Sequence, residues 1–309
     1  MRVLVTCPPM LGMLDRLKVH FHNAGLEPFG ASVVQALTED ELCAMVPEYD
    51  GWIIGDDPAT RRVFASGRAG ILKAAVKWGI GTDNIDFDAC REFRIPIINT
   101  PNMFGAEVAD VALGYVIGLA RETFTIDREV RAGNWIKPAG ISLLNKTVAL
   151  VGFGDIGQES ARRFLACGLK INAYDPAFGE TESYKPVQLL NWPERVGEAD
   201  FLVITCSLNE STKRLINTST LKLCKQGLRL VNVARGQIVD EVALVNALDS
   251  GQVHSAALDV FEDEPLPPNS DLRKYSRCIL GSHNASNTVD AVKRASLQAI
   301  DCMKGFLYG

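Results

Sequence analysis

Short apolar runs alternate along most of this chain with longer segments in which apolar residues recur at helical spacing. This alternation predicts parallel β-sheets whose strands are joined by crossover helices. In the first third of the chain, strands are predicted at Val3–Thr6, Glu27–Gly30, Trp52–Gly55, Leu72–Lys77 and Pro96–Asn99. Five strands of this kind indicate a small flavodoxin-like unit. Between the second and third strands, Thr38 and Glu41 have the spacing of a capping box, which predicts a helix start.

The rest of the chain predicts a second sheet of the same type. A helix at about Gly105–Glu122 is apolar on nearly every side, so we expect it to be buried between domains or subunits. Strands are predicted at Val148–Val151, Leu169–Tyr174, Phe201–Cys206, Leu228–Val233, Ser255–Leu258 and Cys278–Gly281. These six are enough for a Rossmann unit. The last helix, at about Val289–Phe306, has no sheet left to extend, and we expect it to return to the first unit.

Overall composition narrows the class of protein. Of the 309 residues 47% are apolar and 22% charged, and the net charge is −5. These values describe a globular chain of two domains and argue against nucleic-acid binding, which needs a basic patch. The four histidines and eight scattered cysteines form no CxxC pair or ligand cluster, so we expect reduced cysteines and no metal. No apolar run spans a membrane and the first strand is too short for a signal peptide, which predicts a cytoplasmic protein without membrane contact.

The most informative motif is a glycine-rich turn between a strand and a helix. Gly152, Gly154 and Gly157 have the spacing GxGxxG and directly follow the apolar run that ends at Val151. The first glycine permits a tight turn, the second lets the backbone approach a pyrophosphate, and the third lets the helix lie close to the strand. The helix N-terminus then faces the negative charge. The motif therefore predicts a dinucleotide site.

The next strand supports this interpretation and indicates which dinucleotide binds. It ends at Asp175, 18 residues after Gly157, which is about where a ribose-binding acid belongs. A carboxylate there accepts hydrogen bonds from ribose hydroxyls and repels a 2′-phosphate. Pro176 follows, with no arginine to neutralise the charge. We therefore expect NAD rather than NADP as the cofactor.

The predicted fold class is α/β, with a Rossmann dinucleotide-binding domain inserted in a flavodoxin-like substrate domain. The expected limits are residues 1–100 for the first part of the substrate domain, 101–283 for the NAD-binding domain, and 284–309 for the helix that returns to the substrate domain. The chain would then cross twice between the domains, which predicts a hinge.

Three chemically active residues follow predicted strands of the second sheet. Arg235 lies just past one strand, Glu264 in the loop after the next, and His283 just past the last. The carboxyl edge of a parallel sheet is where ligands bind. A histidine beside a carboxylate is a general acid/base pair, and an arginine fork suits a substrate carboxylate. Each residue alone fits a structural role equally well, but their shared placement favours hydride transfer at a 2-hydroxy or 2-keto acid.

These motifs, together with SLNEST at residues 207–212, make the chain resemble the D-isomer-specific 2-hydroxyacid dehydrogenase family over nearly its whole length. The resemblance implies that His283 is the proton donor and acceptor, Glu264 its partner and Arg235 the substrate anchor. It also implies cofactor contacts. The residues in these contacts are Asp155 and Ile156 at the pyrophosphate, Cys206, Val233 and Ala234 along the cofactor, and Asp259 at the nicotinamide carboxamide.

The first domain resembles the family as well. The sequence KWGIGTDNID, residues 77–86, is similar to the family's substrate loop. The resemblance implies that Lys77 and the backbone N–H groups of Gly79, Ile80 and Gly81 bind substrate. Asn102 belongs to the similar loop that joins the domains, and the resemblance implies that it binds substrate as well. Gly133 and Trp135 lie in a segment that crosses to the second subunit in family dimers, so we expect a homodimer.

The substrate stays open at this stage. Phosphoglycerate dehydrogenases of the family carry an arginine near the phosphate after the third strand, where this chain has Gly55, Asp56 and Asp57. Two acids disfavour a phosphate unless they point away from the site, while Lys77 keeps one positive charge nearby. Phosphoglycerate is the first expectation, glyoxylate or hydroxypyruvate the alternative, and we expect the regulatory domain of longer relatives to be missing. An NAD-sensing corepressor is the alternative from another class, and turnover of 2-keto acids distinguishes the two.

Overall fold

The computed structural model describes residues 1–178 and 186–309. The chain forms two compact units. Unit 1 comprises Met1–Phe104 and Ser286–Gly309, and unit 2 comprises Gly105–Ala285. These limits lie a few residues from those expected from the sequence. Among the described helices, none combines the length and apolarity needed to cross a membrane.

Unit 1 is built around a parallel sheet. Its strands are β1 (Arg2–Val5), β2 (Glu27–Gly30), β3 (Gly51–Ile54), β4 (Ala74–Lys77) and β5 (Ile97–Asn99). The helices between them are α1 (Pro8–Leu11), α2 (Leu14–Asn23), α3 (Glu39–Met45), α4 (Arg61–Ala69) and α5 (Phe87–Phe93). The spatial order β2-β1-β3-β4-β5 matches the predicted flavodoxin-like arrangement. Both faces of β3 and β4 are buried, which explains why these strands are apolar without alternation.

Unit 1 has the predicted helix start, but one of its strands starts later than predicted. The capping box is present, because the Thr38 side chain accepts from the Glu41 N–H and the Glu41 carboxylate accepts from the Thr38 N–H. Strand β4 starts two residues later than predicted. Leu72 is buried but its N–H donates to the Gly67 carbonyl in the turn that ends α4, so an apolar residue of the core lies outside the sheet.

Unit 2 contains the larger sheet. Its strands are β6 (Thr147–Val151), β7 (Lys170–Tyr174), β8 (Gln188–Leu189), β9 (Phe201–Ile204), β10 (Leu228–Asn232), β11 (Val253–Leu258) and β12 (Ile279–Leu280). Its helices are α6 (Gly105–Arg121), α7 (Thr123–Arg131), α8 (Asp155–Ala166), α9 (Thr218–Leu223) and α10 (Glu241–Asp249). Every strand pair is parallel in the order β12-β11-β10-β9-β6-β7-β8, as in a Rossmann unit. The predicted fold class is confirmed, although the two-residue edge strand β8 was missed because it has no apolar run.

Helix α6 belongs to the core of unit 2. Its buried residues include Val108, Ala112 and Val116, and it packs against α8 and the strands β10 and β11. The small side chains of α6 allow this close packing. Contacts within unit 2 thus account for the buried face of the helix, which holds eight of its 17 residues.

The final helix, α11 (Val289–Tyr308), is part of unit 1, as expected from the sequence. Thr288 caps its N-terminus, and its buried residues recur every three or four positions, from Ala291 to Met303. They pack against β3, β4 and α2. The contact is close, since a Cβ on Gly51 would lie 2.5 Å from the Met303 sulfur.

Candidate active site

The glycine turn of unit 2 has the geometry that its sequence predicts. Gly152 has φ +96°, and a Cβ there would lie 2.5 Å from the backbone nitrogen of Cys206. A Cβ on Gly157 would lie 2.3 Å from the Gly152 carbonyl oxygen. Gly154 caps helix α8, and a Cβ there would meet no atom within 4 Å. The first and third glycines are thus fixed by packing, whereas the second leaves open space at a helix N-terminus, as a pyrophosphate requires.

Asp175 follows β7 and is tied to the glycine turn. Its Oδ2 accepts the N–H of Phe153 at 2.7 Å, and its Oδ1 accepts the N–H of Ala177 at 3.0 Å. The carboxylate therefore holds the backbone between the first two glycines, a contact that sequence reasoning did not include.

The other residues that the resemblance assigns to the cofactor lie in helix α8 or just beyond strands of the same sheet. Ile156 is the second residue of α8, and Val233 and Ala234 directly follow β10. Cys206 is two residues past the end of β9, and burial raises the pKa of its thiol to about 12. The Asp155 side chain faces α6, where its carboxylate accepts a hydrogen bond from the Gly105 N–H. Burial, and to a lesser extent the nearby Glu159 and Glu107, raises the pKa of this carboxyl group. Only the backbone of Asp155 is thus suited to a phosphate.

His283 and Glu264 form a pair in unit 2. His283 Nδ1 lies 2.6 Å from Glu264 Oε2, and each side chain is about one-fifth exposed. The other carboxylate oxygen accepts the N–H of Phe261 at 2.9 Å. Because a carboxylate only accepts, Nδ1 carries a proton, and Nε2 is the ring atom suited to exchange one with a substrate. The two residues that the sequence predicts as an acid/base pair are therefore in hydrogen-bond contact.

Asp259 holds the backbone around His283. Its carbonyl oxygen accepts the His283 N–H at 2.7 Å, and its Oδ2 accepts the Ala285 N–H at 2.8 Å. Tyr115 of α6 donates its hydroxyl to Asp259 Oδ1 at 3.2 Å, a partner that no sequence motif indicated. His283 itself has φ +54°, an uncommon conformation that these bonds maintain. The buried Asp259 carboxylate thus has a positioning role besides the cofactor contact that the resemblance implies.

Arg235 follows β10, and the backbone beyond it packs on the loop that carries Glu264. Its Nη1 donates to the Ala234 carbonyl at 2.9 Å. A Cβ on Gly236 would lie 1.8 Å from the Phe261 carbonyl carbon, and Gln237 donates its side-chain amide to the Glu262 carbonyl at 3.0 Å. The segments that carry the arginine and the glutamate are therefore in direct backbone contact.

A further acidic residue, Glu241, contacts the loop that carries Glu264. Glu241, the first residue of α10, accepts the Glu262 N–H at 2.7 Å. Burial, followed by the nearby Glu262, Asp263 and Glu264, raises the pKa of the Glu241 carboxyl. The acidic segment at residues 262–264 is thus held by hydrogen bonds to its neighbours and is not simply a solvent-exposed turn.

The predicted substrate loop lies in unit 1. Gly79 has φ +119°, and its N–H donates to Thr100 Oγ1 at 2.8 Å. In this structure the Gly79 N–H that the resemblance assigns to substrate therefore has an acceptor within unit 1. Ile80 is exposed, and its carbonyl accepts from Asn99 Nδ2 at 3.0 Å. Gly81 follows in the same loop. Asn102, with φ +56°, lies on the segment beyond β5.

The charged residues at the ends of β3 and β4 are paired with one another. Lys77 is buried, donates to the Gly55 carbonyl, and lies 3.3 Å from Asp56 Oδ1. Asp57 is fully buried and accepts from the Thr6 hydroxyl and the N–H groups of Leu37 and Gly55. Burial raises the pKa of Asp57 despite these donors. Asp56 is therefore compensated by the Lys77 charge, and Asp57 by three hydrogen-bond donors.

In the described part of the chain, no group of three or more His, Cys, Asp or Glu side chains is placed to hold a metal ion.

Comparison with known proteins agrees with this geometry. Residues 113–285 match the family described as D-isomer specific 2-hydroxyacid dehydrogenase, NAD binding domain. A hydroxypyruvate reductase of Thermotoga maritima is 36% identical over 86% of this chain and 87% of its own length. Human D-3-phosphoglycerate dehydrogenase is 35% identical over 91% of this chain but only 54% of its own. The NAD-dependent formate dehydrogenase of Staphylococcus aureus, solved with NAD, has a TM-score of 0.88 at 26% identity, with 100% of this chain and 96% of that one covered.

The chain belongs to the NAD-dependent D-isomer-specific 2-hydroxyacid dehydrogenase family. The cofactor expected from the glycine turn and Asp175 is that of the family, and the open space at Gly154 fits its pyrophosphate. When bound, NAD supplies or accepts the hydride at the carbon that carries the hydroxyl or keto oxygen.

Proposed function

We propose that this protein interconverts a small 2-keto acid with a single carboxylate and the matching D-2-hydroxy acid, with hydroxypyruvate or glyoxylate as the keto acid. The observation that carries this choice is the pairing of Lys77 with Asp56 and the Gly55 carbonyl. A phosphate would need the lysine charge that these groups already compensate, and it would lie near the Asp56 carboxylate. The similarity to a hydroxypyruvate reductase over most of both chains supports the same choice.

In the proposed mechanism each residue has one task. Arg235 binds the substrate carboxylate, and so do the backbone N–H groups of Ile80 and Gly81. His283 Nε2 gives a proton to the keto oxygen during reduction and takes it from the hydroxyl during oxidation. Glu264 stabilises the imidazolium and keeps the proton on Nδ1.

Steady-state kinetics tests the proposal. Oxidation of NADH is measured with hydroxypyruvate, glyoxylate and 3-phosphohydroxypyruvate. We expect the highest kcat/KM with one of the first two. A preference for the phosphorylated acid would favour the second candidate, phosphoglycerate dehydrogenase, which the 35% identity to the human enzyme supports. Binding of NADH without turnover of any keto acid would instead favour an NAD sensor.

We further propose a homodimer in the cytoplasm. Helix α7 has no buried residue, Phe124 and Val130 are each more than two-fifths exposed, and Trp135 is 80% exposed. A second copy of the chain would cover these apolar side chains. All eight cysteines are free thiols, which suits a reducing compartment. Light scattering is expected to give twice the chain mass, and Trp135→Ala is expected to shift the protein toward the monomer.

A further inference from the structure

The proposed substrate loop of unit 1, residues 79–81, directly follows a buried tryptophan, Trp78. Trp78 directly follows β4, its side chain is only 6% exposed, and its ring packs on Phe104 at a centroid distance of 5.1 Å. Its indole Nε1–H donates to Ser296 Oγ at 3.1 Å. A buried indole N–H needs such an acceptor.

Ser296 belongs to helix α11, 218 residues further along the chain. It is fully buried and lies among alanines of the helix face that packs on β3 and β4. The C-terminal helix therefore offers one hydroxyl group at the point where β4 passes into the loop.

The loop itself has little internal support. Glycines at positions 79 and 81 flank Ile80, and glycine has the widest choice of backbone conformations. On the side of β5, Thr100 accepts the Gly79 N–H and Asn99 donates to the Ile80 carbonyl. On the side of β4, the Trp78 side chain holds the start of the loop through its contacts with Phe104 and Ser296. Backbone donors bind an anion well only when their direction is fixed.

We propose that Trp78 and Ser296 are a positioning pair through which helix α11 sets the conformation of the 79–81 loop and thereby the affinity for the substrate carboxylate. This inference rests on the proposed role of Ile80 and Gly81. Neither side chain takes part in the chemistry. Loss of the hydrogen bond should act on substrate binding and leave proton transfer at His283 intact.

The test uses Ser296→Ala, Trp78→Phe and the double variant in the full-length protein. Trp78→Phe keeps an aromatic ring against Phe104 but removes the N–H. We expect each single change to raise the KM for hydroxypyruvate roughly three- to tenfold, the size of one neutral hydrogen bond, with kcat and the Kd for NADH nearly unchanged. The double variant should match the single variants, because both remove the same bond.

Ser66→Ala is the matched control. Ser66 lies in α4 of the same unit and donates to the Cys43 carbonyl at 2.8 Å, away from the loop. It should change thermal stability without changing KM. An equal rise of KM in the control, or additive effects in the double variant, would overturn the positioning role.

Amide hydrogen exchange separates this inference from the proposed function. Ser296→Ala should speed exchange at Gly79 and Thr100, whose N–H groups close the loop, and Ser66→Ala should not. Unchanged exchange in Ser296→Ala overturns the inference even if the enzyme is active. Absence of turnover in the unmutated protein refutes the proposed function, and exchange then decides the loop anchor by itself.

Discussion

His283 Nδ1 lies 2.6 Å from Glu264 Oε2, while Glu264 Oε1 accepts the N–H of Phe261. Both oxygens of one carboxylate therefore act as acceptors, one for the imidazole and one for the backbone. The backbone bond fixes the carboxylate, and the carboxylate fixes the tautomer of the histidine. His283 is held from its own backbone as well, since its N–H donates to Asp259.

Replacing His283 with alanine should remove the proton donor. We expect kcat to fall by roughly 10²–10⁴-fold while NADH still binds, because general acid catalysis has about that value. Fluorescence titration with NADH and steady-state kinetics measure the two effects. His254→Ala is the control, since that histidine also lies in unit 2 but on β11 beside Ser255. A near-normal kcat in His283→Ala would show that another group protonates the substrate.

Replacing Glu264 with glutamine keeps the shape but offers only one acceptor oxygen. The amide cannot accept from both the Phe261 N–H and His283 Nδ1–H, so one bond is lost. We expect kcat to fall roughly 10- to 100-fold, the value of a hydrogen bond to a charged group. Glu262→Gln, two residues away, should have little effect. Equal losses in the two variants would argue against the specific pair.

The sequence was sufficient to predict the parts of the site that depend on local geometry. Parallel strands bring their carboxyl ends to one edge of a sheet. The placement of the glycine turn, of Asp175 and of the residues after β10, β11 and β12 was therefore predictable. Contacts between segments that are distant in sequence were not predictable. Trp78 meets Ser296 only because α11 returns to unit 1, and the burial of Asp57 depends on Thr6 and Leu37 from separate segments. Strand β8 has too few residues to give a periodic signal.

Replacing Asp175 with alanine should change both affinity and cofactor preference. The carboxylate that repels a 2′-phosphate disappears, so use of NADPH relative to NADH should rise. The Phe153 N–H also loses its acceptor, and the glycine turn is loosened. We therefore expect weaker NADH binding than loss of the ribose contact alone would give. Kinetics with both cofactors measure the ratio. Equal turnover with NADH and NADPH in the unmutated protein would contradict the assigned role.

The two neighbouring aspartates should behave differently. Asp57→Asn replaces a buried acceptor of three hydrogen bonds with a group that is partly a donor. We expect a loss of unfolding free energy of about 1–3 kcal/mol. Asp56→Asn removes the carboxylate that compensates the buried Lys77 charge, so it should also lower stability, and it leaves that charge available to a phosphate on the substrate. Its kcat/KM for 3-phosphohydroxypyruvate relative to hydroxypyruvate should then rise. An unchanged ratio would mean that the lysine charge does not influence substrate choice.

Gly236 offers a test of the contact between the arginine segment and the glutamate loop. A Cβ there would lie 1.8 Å from the Phe261 carbonyl carbon, a backbone atom that cannot move aside without moving the loop of Glu264. We expect Gly236→Ala to lower kcat at least as much as Glu264→Gln, because the carboxylate would shift away from His283. Gly114→Ala is the matched control: its Cβ meets no atom within 4 Å inside helix α6, so stability should rise by about 0.5–1 kcal/mol. If Gly236→Ala retains full activity and stability, the two segments do not support each other.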